Sequence, residues 1–209
     1  MKQLIIPGTA FRVAALYVQP DGCYAAMPDV DPWPEARDAR AYAGPLPVVA
    51  HPPCQRWGRL GAANYARWGG EHNRPGNDGG CFASALASVR KWGGVLEHPA
   101  HSHAWPTFHL TPPQGPWFHC GAGEYVCEVW QSAYGHKAAK ATWLFYCGPA
   151  PADARWDRIP GTHQVGFQDQ RGKAANKPTL TKREANATPP EFARWLVELA
   201  AASRVRVES

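Results

Sequence analysis

Residues 80–99 read GCFASALASVRKWGGVLEHP, and this stretch decides the fold class. From Gly80 to Trp92 the apolar residues Phe82, Ala85, Leu86 and Val89 recur at helical spacing, and Gly93-Gly94 stops the helix. Val95-Leu96 then predicts a brief buried strand that delivers Glu97 to its end.

Upstream, residues 46–50 (LPVVA) form a short apolar run that stops at His51-Pro52-Pro53-Cys54, because two prolines cannot continue a central strand. Residues 12–18 (RVAALYV) read as a first strand, residues 32–44 as a short exposed helix, and residues 69–80 as a Gly- and Asn-rich loop. Downstream, residues 99–124 look loop-like. Residues 125–131 and 141–147 read as two strands, and residues 150–187 are polar and poorly patterned. Residues 188–202 predict a closing helix, capped by Thr188 with Pro189 first, whose stripe is Phe192, Trp195, Leu196 and Leu199. Strands that first alternate with helices and then finish as a pair predict a single α/β domain over residues 1–209, with a mostly parallel sheet and an antiparallel edge.

The totals suit that reading. The chain has 209 residues, 44% hydrophobic and 19% charged, enough for one substantial core and too apolar for disorder. Pro (21), Gly (20) and Trp (10) imply many turns, with aromatic rings carrying much of the packing. The formal charge of +5 is compatible with an anionic partner. The short apolar stretch after Lys2 ends at Pro7, which predicts no secretory leader, and no run suits a membrane helix. Six cysteines without a CxxC pair predict reduced thiols and a cytoplasmic protein. The sequence leaves the oligomeric state open.

In a parallel sheet, functional residues sit just past the carboxyl ends of strands, where both HPPC and LEHP fall. Cys54 is a candidate nucleophile whose reactivity needs a lowered pKa, from Arg56, His51 or a helix terminus. Glu97 could instead cap a helix or pair with Arg90, and Lys137 and Lys140 could be solvated loop charges. A His-rich set (His51, His98, His101, His103, His109, His119, with Cys120) raises the alternative of a His/Cys metalloprotein, although its spacings match no zinc template and no metal ligand is assigned. Trp57 directly follows the Cys54 loop and is the tryptophan expected to touch a base.

Taken in order, Pro52-Pro53-Cys54-Gln55, Glu97 with His98-Pro99, and the segment Gln131 to Trp143 resemble the cytosine-5 DNA methyltransferase family. Its members carry a Pro-Pro-Cys-Gln nucleophile loop, a Glu-Asn-Val segment and a Tyr-Gly-x-x-Gln-x-Arg-x-Arg strand. The chain also resembles short phage-encoded proteins with the same HPPC and Glu-x-Pro pattern. The resemblance implies a Rossmann-like, methyltransferase-type sandwich acting in a prokaryotic or phage-infected cytoplasm on DNA or a pyrimidine nucleotide. It makes Cys54 the group that adds to C6 of the ring, and Glu97 the group that contacts N3. Pro53, Gln55, Arg56, Trp57, His98, Lys137 and Lys140 would hold the substrate, and residues 150–187 would form a loop-rich insertion or a minimal recognition region. The donor would be S-adenosylmethionine, with Asp29 or Asp31 on its ribose. However, the family's Phe-x-Gly-x-Gly loop is replaced by Gln19-Pro20-Asp21-Gly22, and the interval before HPPC is short, so the cofactor half is truncated. The same residues suit transfer of a group other than methyl, or a non-catalytic nucleic-acid-binding decoy or accessory protein.

Overall fold

A computed structural model describes residues 11–58, 61–165 and 177–204. Among them, seven strands form one sheet: β1 (Val13–Leu16), β2 (Val30–Trp33), β3 (Val48–Ala50), β4 (Gly94–Pro99), β5 (Phe118–Gly121), β6 (Glu124–Trp130) and β7 (Ala141–Cys147). Their order is β2-β1-β3-β4-β7-β6-β5. The first four run parallel, and β7, β6 and β5 continue the sheet in antiparallel fashion. The helices are α1 (Gly61–Trp68), α2 (Cys81–Trp92), α3 (Ala104–Thr107), α4 (Lys182–Asn186) and α5 (Pro190–Ala202). None of the described helices is long and apolar enough to cross a membrane.

Both faces of the parallel strands are buried, which explains their near-continuous apolar runs. Val13, Ala15, Val49 and Val95 join Phe192, Leu196 and Leu199 of α5 in one cluster. The alternate residues Ala14, Leu16, Val48, Ala50 and Leu96 join Phe82, Ala85, Leu86 and Val89 of α2 in the other. Two amphipathic helices, one per face, thus cover the sheet centre.

The elements differ from expectation where turns replace helices. Residues 32–44 hold two 3₁₀ turns, Glu35–Arg37 and Ala39–Ala41, rather than one helix. Prolines at 32 and 34 and the left-handed Asp38 (φ 45°) interrupt any longer run. β5 lies inside the segment expected to be loop, and α1 lies where no helix was foreseen. The closing helix begins one residue late, with Pro189 as its cap and Pro190 as its first residue. Within 150–187 the described residues before α4 form only isolated bridges, His163 with Ala138 and Gln164 with Thr179, and residues 166–176 fall outside the described residues. Between β1 and β3 there is one strand, with 3₁₀ turns in place of α-helices.

The topology fixes where a ligand can sit. From central β1 the chain moves outward to β2 and then returns to the other side at β3, so the carboxyl ends of β1 and β3 open a switch point. Because β7 is antiparallel to β4, its first residues lie at the carboxyl end of β4, with Thr142 opposite Pro99. Trp130 at the end of β6 pairs with Ala141 on the same rim.

Gly93 and Gly94 make the sharp exchange from α2 to β4 possible, with φ of 79° and 117°. A Cβ on Gly94 would overlap the Val48 carbonyl and amide of the paired strand. Gly94→Ala is therefore expected to cost about 3 kcal/mol or more, summing a left-handed backbone penalty of about 1–2 and an overpacking cost of about 1–3. A urea midpoint close to that of the parent would show the α2–β4 exchange to be looser than described.

Candidate active site

The end of β3 runs straight into His51-Pro52-Pro53-Cys54. The turn closes where the Trp57 amide donates to the Cys54 carbonyl at 3.0 Å. Trp57 then anchors the loop from beneath. It is 5% exposed, packs on Phe82 and Phe108, and donates its indole N–H to Asp78 at 2.8 Å. Asp78 also accepts from the amides of Gly80 and Phe82, capping α2. One carboxylate therefore ties the Cys54 loop to the helix behind it. Trp57, expected to face a base, is a buried anchor instead. The indole ring is the largest plug available for the gap between loop and helix.

Glu97 lies in the buried stretch of β4, just before His98, and is 8% exposed. Its Oε2 lies 2.9 Å from His51 Nδ1, and His51 Nε2 lies 2.7 Å from the Tyr24 hydroxyl. Gln131 Nε2 donates to Glu97 Oε1 at 3.0 Å and to Thr142 Oγ1 at 3.0 Å. Burial would push the Glu97 carboxyl up. The hydrogen bond and favourable electrostatics of His51, followed by the nearby Lys140 charge, outweigh that and hold it at about 2. An ionised carboxylate only accepts, so His51 must donate from Nδ1. Tyr24, whose own pKa burial raises well above the usual value, keeps its proton and donates to Nε2. This arrangement satisfies all three groups with one imidazole tautomer.

Cys54 is partly buried. Burial and the Glu97 carboxylate push its thiol above the ordinary value, and Lys140 pulls it back down. The sequence reading required a lowered pKa from Arg56, His51 or a helix end. The shift runs the other way, because the thiol is buried and the site also holds a negative charge. Lys140 has φ of 34°, a strained conformation for a lysine, and makes no ion pair among the described residues. Its charge is felt at both Cys54 and Glu97, so these three come together.

The other candidates separate. Lys137 pairs with Glu184 at 3.0 Å beside a second cleft of about 450 Å³ that includes Tyr134 and Pro189. Pro53, Gln55 and Arg56 line a cleft of about 570 Å³ with His72, Asn77 and Lys182. Asp29 precedes β2 at the opposite end of the sheet, where it pairs with Arg12 and Arg194. Asp31 accepts from Trp33 and Arg37. Arg90 pairs with Glu124, so it is not the partner of Glu97. His98, expected beside a substrate, is 1% exposed between Phe82 and Trp105, and its ring nitrogens make no well-directed hydrogen bond. No three His, Cys, Asp or Glu side chains among the described residues converge as a metal site would need.

S-adenosylmethionine does not find a matching receptor in these residues. The turn after β1 presents Tyr17 at φ 60° and Pro20 where a glycine loop would let a ligand approach. A Cβ on Gly22 would lie 3.2 Å from the Gln19 carbonyl, so this glycine serves its own turn. Asp31 is already engaged, and neither cleft is lined by β1 or β2. No family model, curated protein or solved structure matches the chain.

Sequence reasoning named Cys54, Glu97 and Lys140 but assigned no role to Tyr24 or Gln131. Gln131 could have been found by position, since it ends a strand whose partner delivers Lys140 to the same rim. Tyr24 lies in a short 3₁₀ turn (Cys23–Ala26) that carries no periodic signal.

Burial lowers the His98 pKa to about 4, with Glu97 and the Pro53 carbonyl opposing. Folding therefore favours neutral His98. Its contribution is complete above an unfolded pKa of about 6.5 and lost as pH falls toward 4, about 3 kcal/mol at most. The urea-derived stability is expected to drop across this window, and His98→Phe to remove most of that slope. An unchanged slope in the variant would assign the pH dependence elsewhere, first to His136, whose pKa burial also lowers.

Proposed function

We propose that this chain is a pyrimidine-modifying transferase of the cytosine-5 methyltransferase type, with Cys54 as nucleophile. The observation that carries this reading is the convergence of Cys54 and Glu97 at the carboxyl ends of the neighbouring parallel strands β3 and β4, with Lys140 supplied by the turn into β7. Pyrimidine C5 is inert to electrophiles until a nucleophile adds at C6. In this reading the Cys54 thiolate adds at C6, and electron density moves into the ring. Glu97 meets the N3 edge, and the Lys140 ammonium stabilises charge on the ring oxygen. C5 then attacks an electrophile brought from outside the chain. Loss of the C5 proton and release of Cys54 restore the aromatic ring.

Cleft and charge support a phosphate-bearing acceptor, DNA or a pyrimidine nucleotide. Arg56 and Lys182 make no ion pair among the described residues and border the cleft beside Cys54. Asp78 in the same wall is already engaged by three N–H groups. The six free cysteines suit a reducing compartment such as the cytoplasm of a prokaryotic or phage-infected cell. The raised Cys54 pKa favours a second reading, a nucleic-acid-binding protein that keeps the methyltransferase frame without turnover.

The two readings part on a 5-fluoropyrimidine oligonucleotide. Addition of the thiol across C5=C6 needs no donor and gives a reversible adduct, with sulfur on C6 and a proton on C5, which an acid quench preserves by blocking loss of that proton. Mass spectrometry is expected to place this adduct on Cys54, with none on Cys54→Ala of unchanged melting temperature. Equal binding by both proteins, with no adduct on either, would make the chain a binding protein.

A further inference from the structure

The environment of Glu97 bears on which pyrimidine the site takes. Each Glu97 oxygen already accepts one fixed hydrogen bond, from His51 Nδ1 at 2.9 Å and from Gln131 Nε2 at 3.0 Å. The first donor is locked by Tyr24 at 2.7 Å, and the second by its other bond to Thr142. Gln131 Oε1 is a further acceptor, buried and without a partner. The groups at this end of β4 are therefore acceptors, and the lone pairs left on Glu97 call for an N–H from the ligand. Lys140 is the nearby donor, suited to a ring carbonyl.

Cytosine and uracil differ at the atom in question. Ring position N3 of cytosine is a bare lone pair, which a carboxylate repels unless a proton is supplied. Position N3 of uracil carries the hydrogen that a carboxylate accepts directly. Among the described residues, Lys140 is the one donor left near Glu97 and is taken up by the ring carbonyl, while His51 and Gln131 favour the ionised carboxylate and Tyr24 is committed to His51. The depressed pKa of Glu97 agrees with this geometry.

We infer that the ring presented to Cys54 is uracil-type, carrying N3–H, rather than cytosine-type. This rests on the reading above, in which Cys54 adds to C6 and Glu97 meets N3.

Addition alone tests it, without any group donor. The Cys54 thiolate forms a bond to C6, and the C5=C6 pair moves into the C4 carbonyl as an enolate. Water protonates C5; loss of the original C5 hydrogen and expulsion of the thiolate restore the ring. Deuterium at C5 thus washes into solvent with no net reaction. The experiment follows the growth of the H5 proton resonance in water, using 5-deuterated deoxyuridine and deoxycytidine. Each is supplied as a monophosphate and within a single-stranded oligonucleotide, and rates are taken relative to Cys54→Ala.

Exchange from uracil is expected to exceed that from cytosine by a factor of about 10⁴, the ratio typical when the wrong ligand leaves a buried polar group unpaired. Either carrier, nucleotide or oligonucleotide, would support the inference and would identify the acceptor. Cys54-dependent exchange from cytosine at an equal or greater rate would overturn the inference while upholding Cys54 addition. It would place Glu97 on the cytosine amino group instead. No Cys54-dependent exchange from either ring would overturn both.

Discussion

A buried carboxylate is costly unless every neighbour is arranged around it, and much of this site follows from that constraint at Glu97. Four segments distant in sequence meet there: the turn after β1 gives Tyr24, the end of β3 gives His51, the end of β6 gives Gln131, and the start of β7 gives Thr142. They can meet because the antiparallel half of the sheet turns the amino end of β7 toward the carboxyl ends of the parallel half. Removing Gln131 or His51 would leave a lone charge in the protein interior, so neither is a free choice once Glu97 is fixed. Burial first, and the carboxylate second, raise the pKa of the neighbouring Cys54 and favour its thiol form.

Beneath this polar chain lies a separate apolar support. Phe82, Trp57, Phe108, Trp105 and His98 form one aromatic cluster between α2 and the ends of β3 and β4. His98 belongs to it as a flat, neutral ring rather than as a polar group. The two systems divide the work: rings fix where the Cys54 loop sits, and hydrogen bonds fix how Glu97 points.

The sequence was legible where one physical signal dominated. The i, i+3, i+4 stripe of 82–89, the Gly93-Gly94 stop and the apolar run of 46–50 each allowed a single structure, and α2, β3 and β4 follow them. Cys54 and Glu97 were legible because their segments interrupt apolar runs with residues that have no packing value. Illegibility had equally specific causes. Trp57 and His98 have two faces, apolar and polar, and sequence cannot say which one a fold uses. Lys137 and Lys140 are three apart, yet the chain bends between them, so one reaches Glu184 and the other the site. The partners of Glu97 lie too far away in sequence for local spacing to find, and only the sheet order reveals them.

The strand order has a consequence for how the chain assembles. Cys54 and Glu97 lie within one contiguous segment, Val48 to Pro99, whose first and last strands, β3 and β4, pair in parallel with α1 and α2 between them. The pairing of β3 with β4 needs no residue beyond Pro99. Gln131 and Lys140 arrive only when β6 and β7 dock, after those residues have left the ribosome. Within the segment alone, Glu97 has His51 as its partner and lacks Gln131. The two residues of the proposed chemistry therefore become neighbours before they become a site, and the last strands to join the sheet complete it.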